Sequence, residues 1–412
     1  MCAKQLNKKD EELIFTIEKI FRQTKKNFNI EFWNGESITY TEKPEFILKF
    51  NDKESFKKII SNPTSLTFAE AFMDKSFDIE GNIFKALSLK DELQNLDISN
   101  KDKITLLLKT SSLPIKNKHT KEKDKENISH HYDISNDFYK LFLGSSMVYS
   151  CAYFKTQEED LTRAQENKID HICKKLRLKP GENLLDVGCG WGSMIIWAAK
   201  NYGVTSHGIT LSEEQYKYVR ERIKEEHLEV KVTVELKDYR DLKGTGVYDK
   251  IVSIGMFEHV GIKNLPKYFK IMNRLLKEDG LFLNHGITHT KNAIISSEEA
   301  DFIDKYIFPG GELHTISGVL DVMEDTDYEV CDVECLREHY FKTLSHWVLN
   351  LQANKDEAIK FSSEKIYRTW LLYMTGCAIN FHLGFISVYQ VLLTKSTKKG
   401  GFNIPLTREY ML

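Results

Sequence analysis

The sequence predicts an α/β protein whose main domain is a doubly wound sheet of seven strands, preceded by a small α+β domain. Three observations predict this fold. From Asn183 onward, apolar strand-like runs alternate with helix-like segments, which is the pattern of parallel βαβ units. The first run ends at Asp186 in a turn with glycine at every second position, and a helix-like segment follows. With 412 residues, the chain is long enough for two domains.

Each element of the main domain is predicted from its apolar pattern. The expected strands are Asn183–Val187, Thr205–Ile209, Lys231–Glu235, Tyr248–Ile254, Gly280–His285, Glu329–Leu336 and Ile386–Lys395. The expected helices are Ser193–Asn201, Ser212–Glu226 and Leu265–Leu276. Two long segments, Ile287–Asp327 and Arg337–Gly384, exceed what such a sheet needs, and their aromatic residues predict a substrate pocket.

The first part of the chain, residues 1–112, predicts a separate small domain. A 3.6-residue apolar period predicts a helix from about Asp10 to Gln23. Asn34-Gly35 predicts the turn of a hairpin, and alternation predicts a strand at Phe46–Phe50. Residues 113–128 are charged, and they form either a solvated linker or a basic arm that touches anionic lipid. Residues 129–412 then form the main domain.

Composition excludes several classes of function. A net charge of −2 gives no general attraction to nucleic acid. The seven cysteines form no paired C-x-x-C sets, so we expect neither a metal site nor a disulfide framework. Residues 1–12 carry no apolar signal segment, which makes a reduced cytoplasm the expected compartment. Trp370–Leu393 is uncharged, but its polar residues favour a buried helix to about Leu383 and then a strand, rather than a membrane span.

The glycine turn indicates a ligand site. Gly188, Gly190 and Gly192 follow the spacing G-x-G-x-G, not the dinucleotide spacing G-x-G-x-x-G. Without a Cβ, such positions let the backbone approach a ligand closely. The spacing fits the S-adenosylmethionine (SAM) loop of class I methyltransferases better than a nicotinamide site. Asp186 can accept hydrogen bonds from amino or hydroxyl groups of the ligand, although a strand-to-helix turn without a ligand would also use these glycines.

Four further stretches are more specific than the glycine turn. They are HYDISNDFY at His131–Tyr139, YSCAYF at Tyr149–Phe154, GMFEHVG at Gly255–Gly261 and YIFPGG at Tyr306–Gly311. With the glycine turn they closely resemble the cyclopropane fatty acid synthase family, whose relatives include the mycolic acid cyclopropane synthases. The resemblance is collinear from about Ser65 to Lys395. It implies a class I SAM-dependent methyltransferase with a Rossmann-like sheet, behind an N-terminal domain that the family shares.

The resemblance also implies which residues bind SAM. In many methyltransferases an acid that binds ribose ends the second strand, whereas this chain has Thr210 there. The family resembled here has threonine at that point as well and adds a glutamine, which corresponds to Gln215. The expected cofactor-binding residues are Tyr149, Ser150, Asp186, Gly188, Gly190, Gly192, Thr210, Gln215, Tyr239 and Arg240.

The reaction implied by the resemblance has two chemical steps. A cis alkene in a phospholipid acyl chain attacks the methyl group of SAM and becomes a carbocation. The new methyl group must then lose a proton before the ring closes, and the family holds bicarbonate as the base. The implied bicarbonate cradle consists of Cys151, Glu258, His285, the Ile287 backbone and Tyr340. Cysteine, histidine and tyrosine can donate hydrogen bonds to an oxyanion, and an oriented anion in a dry pocket is a competent base.

The candidate catalytic residues also have purely structural interpretations. Glu258 could cap a helix with His259, and His285 could be a satisfied core histidine. Cys151 could be a small buried apolar side chain. Cys377 matches a cysteine position that family members share, and it either takes part in the activity or only lines the pocket.

The resulting prediction is a SAM-dependent cyclopropane-fatty-acyl-phospholipid synthase with bicarbonate as the second cofactor. We expect unsaturated phospholipid acyl chains as its partners and no nucleic acid. The protein should be cytoplasmic, peripheral at the inner membrane face without a transmembrane segment, and a homodimer, as family members commonly are.

Three alternatives stay open on the sequence alone. The same cation can give methyl-branched, methylene or hydroxylated chains, although the intact cradle favours the ring. An amine N-methyltransferase of the same superfamily would need no bicarbonate cradle. A non-catalytic lipid-binding protein that retains SAM affinity is the third alternative, and loss of Glu258 or of a loop glycine would have favoured it; neither is lost.

Overall fold

The computed structural model describes residues 21, 24, 25, 27–61, 64–94, 135–291, 293, 297–308, 310–396 and 404–411. The chain divides into two compact units. The first comprises Met1–Leu113, Ser296–Phe302 and Glu364–Ile379, and the second comprises the rest. The predicted helix at residues 10–23 (apart from Phe21), the charged segment at 113–128 and the first part of the HYDISNDFY stretch, 131–134, lie outside the described residues.

The first unit contains a four-stranded sheet with the order β2-β1-β3-β4. Its strands are β1 (Phe28–Glu31), β2 (Ser37–Thr39), β3 (Phe46–Phe50) and β4 (Phe77–Gly81), and its helices include α1 (Lys53–Ser61), α2 (Ser65–Met73) and α3 (Ile83–Gln94). β1 and β2 are antiparallel on either side of Asn34-Gly35, and Gly35 has a positive φ of 86°. The predicted hairpin and the predicted strand at Phe46–Phe50 are therefore confirmed.

The second unit contains a seven-stranded sheet with the order β10-β11-β9-β8-β5-β6-β7. The strands are β5 (Asn183–Val187), β6 (Thr205–Thr210), β7 (Val232–Leu236), β8 (Tyr248–Ile254), β9 (Leu276–His289), β10 (Tyr328–Cys335) and β11 (Ile386–Lys395). All seven predicted strands are present. The pairs among β5 to β9 are parallel, whereas β11 runs antiparallel to both β9 and β10. The sheet is thus mixed: the predicted parallel pattern holds from β5 to β9, and the two late strands complete the sheet with β11 antiparallel to both of its neighbours.

Helices follow the strands in the predicted alternation. Their bounds are α4 (Asn136–Leu143), α5 (Leu161–Lys175), α6 (Ser193–Tyr202), α7 (Glu213–Glu225), α8 (Leu265–Leu275), α9 (Ser297–Tyr306), α10 (Ile316–Glu324), α11 (Arg337–Ala353), α12 (Lys355–Phe361) and α13 (Glu364–Leu383). The predicted helices at 193–201, 212–226 and 265–276 correspond to α6, α7 and α8 within one residue at each end.

Both faces of the second sheet are buried, which explains the almost continuous apolar runs of its strands. In β5, Leu185 belongs to one hydrophobic cluster with Phe269 and Phe282, whereas Leu184 belongs to another with Ile172. Successive residues of a strand point to opposite faces, so one short apolar strand contributes to two cores. Because β5 pairs in parallel with both β6 and β8, the carboxyl ends of these three strands lie at one edge of the sheet.

β9 begins earlier than the sequence predicted. The sequence predicted this strand from Gly280, but β9 already starts at Leu276. Leu276 pairs with Tyr248 and Leu281 pairs with Lys250, so Lys277–Gly280 form a bulge opposite one residue of β8. The strand therefore follows α8 without a loop.

The first part of α13 packs within the first unit. Arg368 is buried, and its guanidinium donates to the Phe72 carbonyl at 3.0 Å and to Asp78 at 2.8 Å. Its Nε donates to Glu364 at 3.1 Å, and its Cζ lies 4.8 Å from the centre of the Phe72 ring. A buried guanidinium needs such partners because its desolvation is costly. These contacts attach a late segment of the chain to the N-terminal unit.

Of the helices in the described ranges, none has both the length and the apolar character needed to cross a bilayer. The uncharged stretch at Trp370–Leu393 divides between α13, which ends at Leu383, and β11, which starts at Ile386. The predicted division into a helix and a strand is confirmed.

Candidate active site

A cavity, here called the strand-end cavity, lies where β5, β6 and β8 end. Its walls include Asp186 near the end of β5, Gly188 just after that strand, Thr210 at the end of β6 and Met256 after β8. In open α/β sheets ligands bind outside the carboxyl ends of the strands, so this is the expected position of a ligand site. Every predicted cofactor-binding residue except Gly192 lines this cavity.

The glycines of the turn have different physical roles. Gly188 and Gly190 have φ of 85° and 53°, and a Cβ on Gly190 would meet no atom within 4 Å. Gly190 therefore leaves its side of the backbone open to a ligand. A Cβ on Gly192 would lie 2.9 Å from a methyl group of Val219, so this glycine allows α6 to start close to α7.

Polar groups at the end of β6 form a small ordered turn. The Thr210 hydroxyl donates to the side-chain amide oxygen of Gln215, Oε1, at 2.7 Å and accepts from the Ser212 N–H at 3.2 Å. Ser212 also accepts from the Gln215 N–H and so caps α7. Thr210 and Gln215 thus occupy the part of the cavity wall where many methyltransferases have an acidic residue. The hydrogen bonds of this turn hold both side chains in place.

After β7, an arginine is held against the cavity wall. The Arg240 guanidinium donates to both carboxylate oxygens of Asp238, at 2.9 Å and 2.6 Å. Such a bidentate pair fixes the plane of the guanidinium. The ring of the neighbouring Tyr239 contacts the ring of Tyr268 edge-on, with 5.3 Å between the ring centres. The ion pair and this ring contact together hold the turn after β7 in place.

Ser150 and Asp186 are accompanied in the cavity by a residue that the sequence analysis missed. Lys168 of α5 lines the same cavity, is buried, and donates to the Ser150 hydroxyl oxygen at 3.0 Å. Burial raises the pKa of Asp186 to about 7, and the Lys168 charge opposes this rise. The pattern of α5 gave no signal for Lys168, because a lysine in a helix normally faces solvent.

Glu258 is held by β9. It lies in a short 3-10 turn, Phe257–His259, and its Oε1 accepts from the Ile287 N–H at 2.7 Å. Burial raises the pKa of Glu258 to about 7, although that hydrogen bond lowers it. Among the described residues, Oε2 has no hydrogen-bond partner. The family resemblance implied that the Ile287 N–H would bind bicarbonate. In this structure it donates to the carboxylate of Glu258 instead.

His285 is neutral and points a free ring nitrogen into the interior. Burial lowers the pKa of His285 to about 3, with Lys168 and Lys175 adding to the effect. Its Nδ1 lies 3.2 Å from the amide nitrogen of Gln390, which donates in this orientation. Nε2 then carries the hydrogen, and no acceptor for it lies among the described residues. Gln390 thereby sets the tautomer, a role the sequence alone did not indicate.

Cys151 and Tyr340 are joined to this region by β11. Cys151 is buried, burial raises the pKa of its thiol, and the thiol donates to the Leu336 carbonyl at 3.6 Å. The Leu336 carbonyl also accepts from the N–H of Tyr340, and the Leu336 N–H donates to Val388 of β11 at 2.9 Å. Val388 in turn pairs with Ile287. Cys151 and Tyr340 are thus hydrogen-bonded to the segment that meets one edge of β11, whereas Ile287, whose N–H holds Glu258, pairs with the other edge of the same strand.

The remaining predicted residue is Cys377. It is half-buried on α13, within the segment assigned to the first unit. Its part in the activity stays a prediction.

Gly286, between His285 and Ile287, fixes the turn that carries Glu258. A Cβ at this position would lie 1.7 Å from the Phe257 ring. We expect Gly286→Ala to lower the free energy of unfolding of the protein by about 1–3 kcal/mol, because it overpacks this contact. Chemical denaturation followed by tryptophan fluorescence measures the change.

The control for this variant removes the ring. In a Phe257→Ala background, Gly286→Ala should cost clearly less than in the wild type, because the added methyl group no longer meets the ring. An equal cost in both backgrounds would show that the ring is not what excludes a side chain at Gly286.

Known proteins resemble this chain over most of its length. The family model described as mycolic acid cyclopropane synthetase matches residues 119–391, and a domain of unknown function matches residues 16–101. A probable fatty acid methyltransferase of Pseudomonas putida is 40% identical over 384 residues, which are 93% of this chain and 95% of that protein.

Solved structures give the same result. The cyclopropane synthase MmaA2 from Mycobacterium tuberculosis is 37% identical, with a TM-score of 0.63 over 66% of this chain and 98% of the other. The mycolic acid cyclopropane synthase CmaA1, complexed with SAH and CTAB, is 39% identical, with a TM-score of 0.63 over the same shares. The predicted class I methyltransferase fold is confirmed by these matches and by the seven-stranded sheet. The chain belongs to the mycolic acid cyclopropane synthetase family and is a SAM-dependent methyltransferase.

Proposed function

We propose that this protein transfers the methyl group of SAM to a cis double bond of a phospholipid acyl chain and closes a cyclopropane ring with bicarbonate as the base. The observation that carries the proposal is that two buried polar atoms, Glu258 Oε2 and His285 Nε2, have no hydrogen-bond partner among the described residues. Glu258 is held by the N–H of Ile287, which lies two residues after His285 on β9. Buried polar atoms are normally hydrogen-bonded, so two such atoms on this part of β9 favour a polar guest.

The chemistry of the two atoms fits bicarbonate. His285 Nε2–H can donate to a negatively charged oxygen, and Glu258 Oε2 can accept the hydrogen of the ion's own hydroxyl group. Because His285 is neutral in its buried position, it offers a donor without becoming a competing acid. Bound bicarbonate would supply a general base. The residues of this chain would orient that base and exclude water from the site.

The proposed reaction balances as follows. The alkene's electron pair forms a C–C bond to the methyl carbon while the S–CH3 bond breaks, which leaves S-adenosylhomocysteine (SAH) and a carbocation. Loss of one proton from the new methyl group frees the electron pair that closes the ring. The engaged position of Glu258, held by the Ile287 N–H, limits its approach to a cation that it could trap as an ester.

A second product is favoured by one observation. The Pseudomonas putida relative, which matches nearly the full chain, is named a probable fatty acid methyltransferase and not a cyclopropane synthase. Reduction of the same cation would give a methyl-branched chain, and loss of a different proton would give a methylene product. The intact set of Cys151, Glu258, His285 and Tyr340 supports the ring as the main product.

We further propose that the protein works as a homodimer on the cytoplasmic face of the membrane, bound peripherally. The proposed substrate class supports the peripheral position, because phospholipid acyl chains are accessible only at a bilayer, whereas the dimer is supported by the family resemblance alone. The sedimentation of the purified protein with vesicles and its mass in solution would test the two parts separately.

Replacing Glu258 tests the proposed base cradle. We expect Glu258→Gln to lower turnover by about 10²-fold or more. A side-chain amide has one acceptor oxygen, so it cannot accept both from the Ile287 N–H and from the hydroxyl group of bicarbonate, as the carboxylate would. The dissociation constant for SAH should change by less than about threefold, since the Glu258 carboxylate has no part in cofactor binding. Calorimetry and a methyl-transfer assay on vesicles measure the two quantities. Wild-type turnover in the variant would remove Glu258 from the mechanism.

The product itself is the most direct test of the proposed function. We expect expression in a bacterium without its own cyclopropane synthase to add one CH2 to monounsaturated acyl chains, with the double bond consumed. Mass spectrometry with fragmentation would identify the ring. A gain of CH2 and two hydrogens would establish the branched product instead. Unchanged lipids, despite SAH binding by the purified protein, would contradict both.

A further inference from the structure

The segment Cys151–Gln157 starts inside the protein but belongs to no helix or strand. Cys151 and Ala152 are inaccessible to solvent, and Phe154 is also buried. Backbone N–H groups in such a segment have no ladder of secondary structure to satisfy them, and a buried N–H without a partner costs free energy. The partners that these groups find therefore show what holds the segment in place.

Two side chains of α11 accept from the buried part of the segment. The Ala152 N–H donates to the Thr343 hydroxyl oxygen at 3.0 Å, and the Phe154 N–H donates to Nδ1 of His339 at 3.0 Å. The two acceptors are four positions apart in the chain, so they lie one above the other on the same face of the helix. That face takes the place of a neighbouring strand for this part of the chain.

Two further residues extend the same face of α11. Lys342 donates to the carbonyl groups of Thr156, at 3.3 Å, and Gln157. Its Nζ also lies 4.4 Å from the centre of the Phe154 ring, and the His346 ring stacks on that ring with 5.6 Å between the centres. Polar residues at this spacing usually mark the solvent-facing side of a helix. Here they form a docking face for the segment that carries Cys151.

Thr343 is the member of this docking face that binds beside Cys151. It is fully buried, and its hydroxyl donates to the His339 carbonyl at 2.7 Å while it accepts from the Ala152 N–H. With its donor and an acceptor both engaged, the hydroxyl is held in one orientation. Burial raises the pKa of the Cys151 thiol, whereas Lys168 and the Thr343 hydroxyl oppose that rise. The hydroxyl thus acts on the backbone beside the cysteine and on the thiol itself.

The same helix also holds Tyr340. The Leu336 carbonyl, just before α11, accepts from the Cys151 thiol at 3.6 Å and from the Tyr340 N–H at 3.0 Å. Cys151 and Tyr340, two residues of the implied bicarbonate cradle, are therefore both bound to the start of α11. A change in how Ala152 is held would move the cysteine relative to the tyrosine.

We propose that Thr343 is a positioning residue for the catalytic reaction: its hydroxyl fixes the Ala152 N–H and thereby sets the place of the Cys151 thiol. Thr343 acts through Cys151 and not on the reacting atoms. The inference rests on the proposed role of Cys151 in the reaction, and it adds α11 as the element that orders two cradle residues together.

The test removes the hydroxyl and keeps the shape of the side chain. In Thr343→Val the Cys151 thiol should shift relative to its acceptor, so its S–H stretching band should move in infrared difference spectra against Cys151→Ala. We expect the kcat of the variant, followed by SAH release on unsaturated phospholipid vesicles, to fall by about 10- to 100-fold, as for a misplaced catalytic group. The KM for SAM should change by less than about threefold, because other residues line the strand-end cavity.

Two variants serve as controls. Thr343→Ser keeps the hydroxyl and should restore the wild-type band and most of the turnover. Thr326→Val makes the same substitution at another buried threonine, whose hydroxyl donates to the Val322 carbonyl at 2.8 Å near the end of α10. It should leave the band and the kcat unchanged, which separates the loss of the Thr343 hydroxyl from the general effect of removing a buried one.

Three results would overturn the proposal. An unchanged S–H band in Thr343→Val would show that the hydroxyl does not set the place of the thiol, and a shifted band with wild-type kcat would show that the reaction does not depend on that place. Rapid hydrogen exchange of the Ala152 N–H in the wild-type protein would show that the bond to Thr343 does not hold the segment, even if no variant folded. A lipid product other than the ring would refute the proposed function instead, and the comparison of variants would stand, because it follows SAH release.

Discussion

Burial of ionisable side chains along the carboxyl edge of one sheet is the constraint on which the catalytic unit depends. Asp186, Glu258, Lys168 and His285 are almost inaccessible to solvent, and burial displaces the pKa of each from its usual range. Burying ionisable groups costs free energy of folding. The hydrophobic clusters on both faces of the sheet are what keeps these side chains away from water. The same dry surroundings strengthen any interaction with a charged ligand.

The antiparallel β11 organises the half of the site that lies away from the cofactor cavity. Its position between β9 and β10 lets Val388 hydrogen-bond to Leu336 on one side and pair with Ile287 on the other. Gln390, two residues later, lies opposite His285 and contacts its ring. A strand from the end of the chain therefore fixes residues that the sequence separates by more than a hundred positions.

The sequence predicted elements well where local pattern decides the outcome. The bounds of β5, β8 and β11 agree with the prediction, because apolar runs between polar turns are local signals. The start of β9 was predicted four residues too late, at Gly280, because the residues before it form a bulge and have no alternating apolar pattern. Lys168, Gln390 and Gly286 could not be found, because their roles depend on tertiary neighbours. The same holds for Arg368, since two of its partners, Phe72 and Asp78, are almost three hundred residues away.

In the proposed reaction, buried Glu258 and His285 orient an anion that removes the proton. The most direct measurement is the rate of ring formation by the purified protein on unsaturated phospholipid vesicles, in carbon dioxide-free buffer and then with added bicarbonate. We expect the rate to fall by about tenfold or more without bicarbonate, as for removal of a general base, and to recover when bicarbonate is added but not when chloride is added. An unchanged rate in bicarbonate-free buffer would contradict the proposed role of the anion.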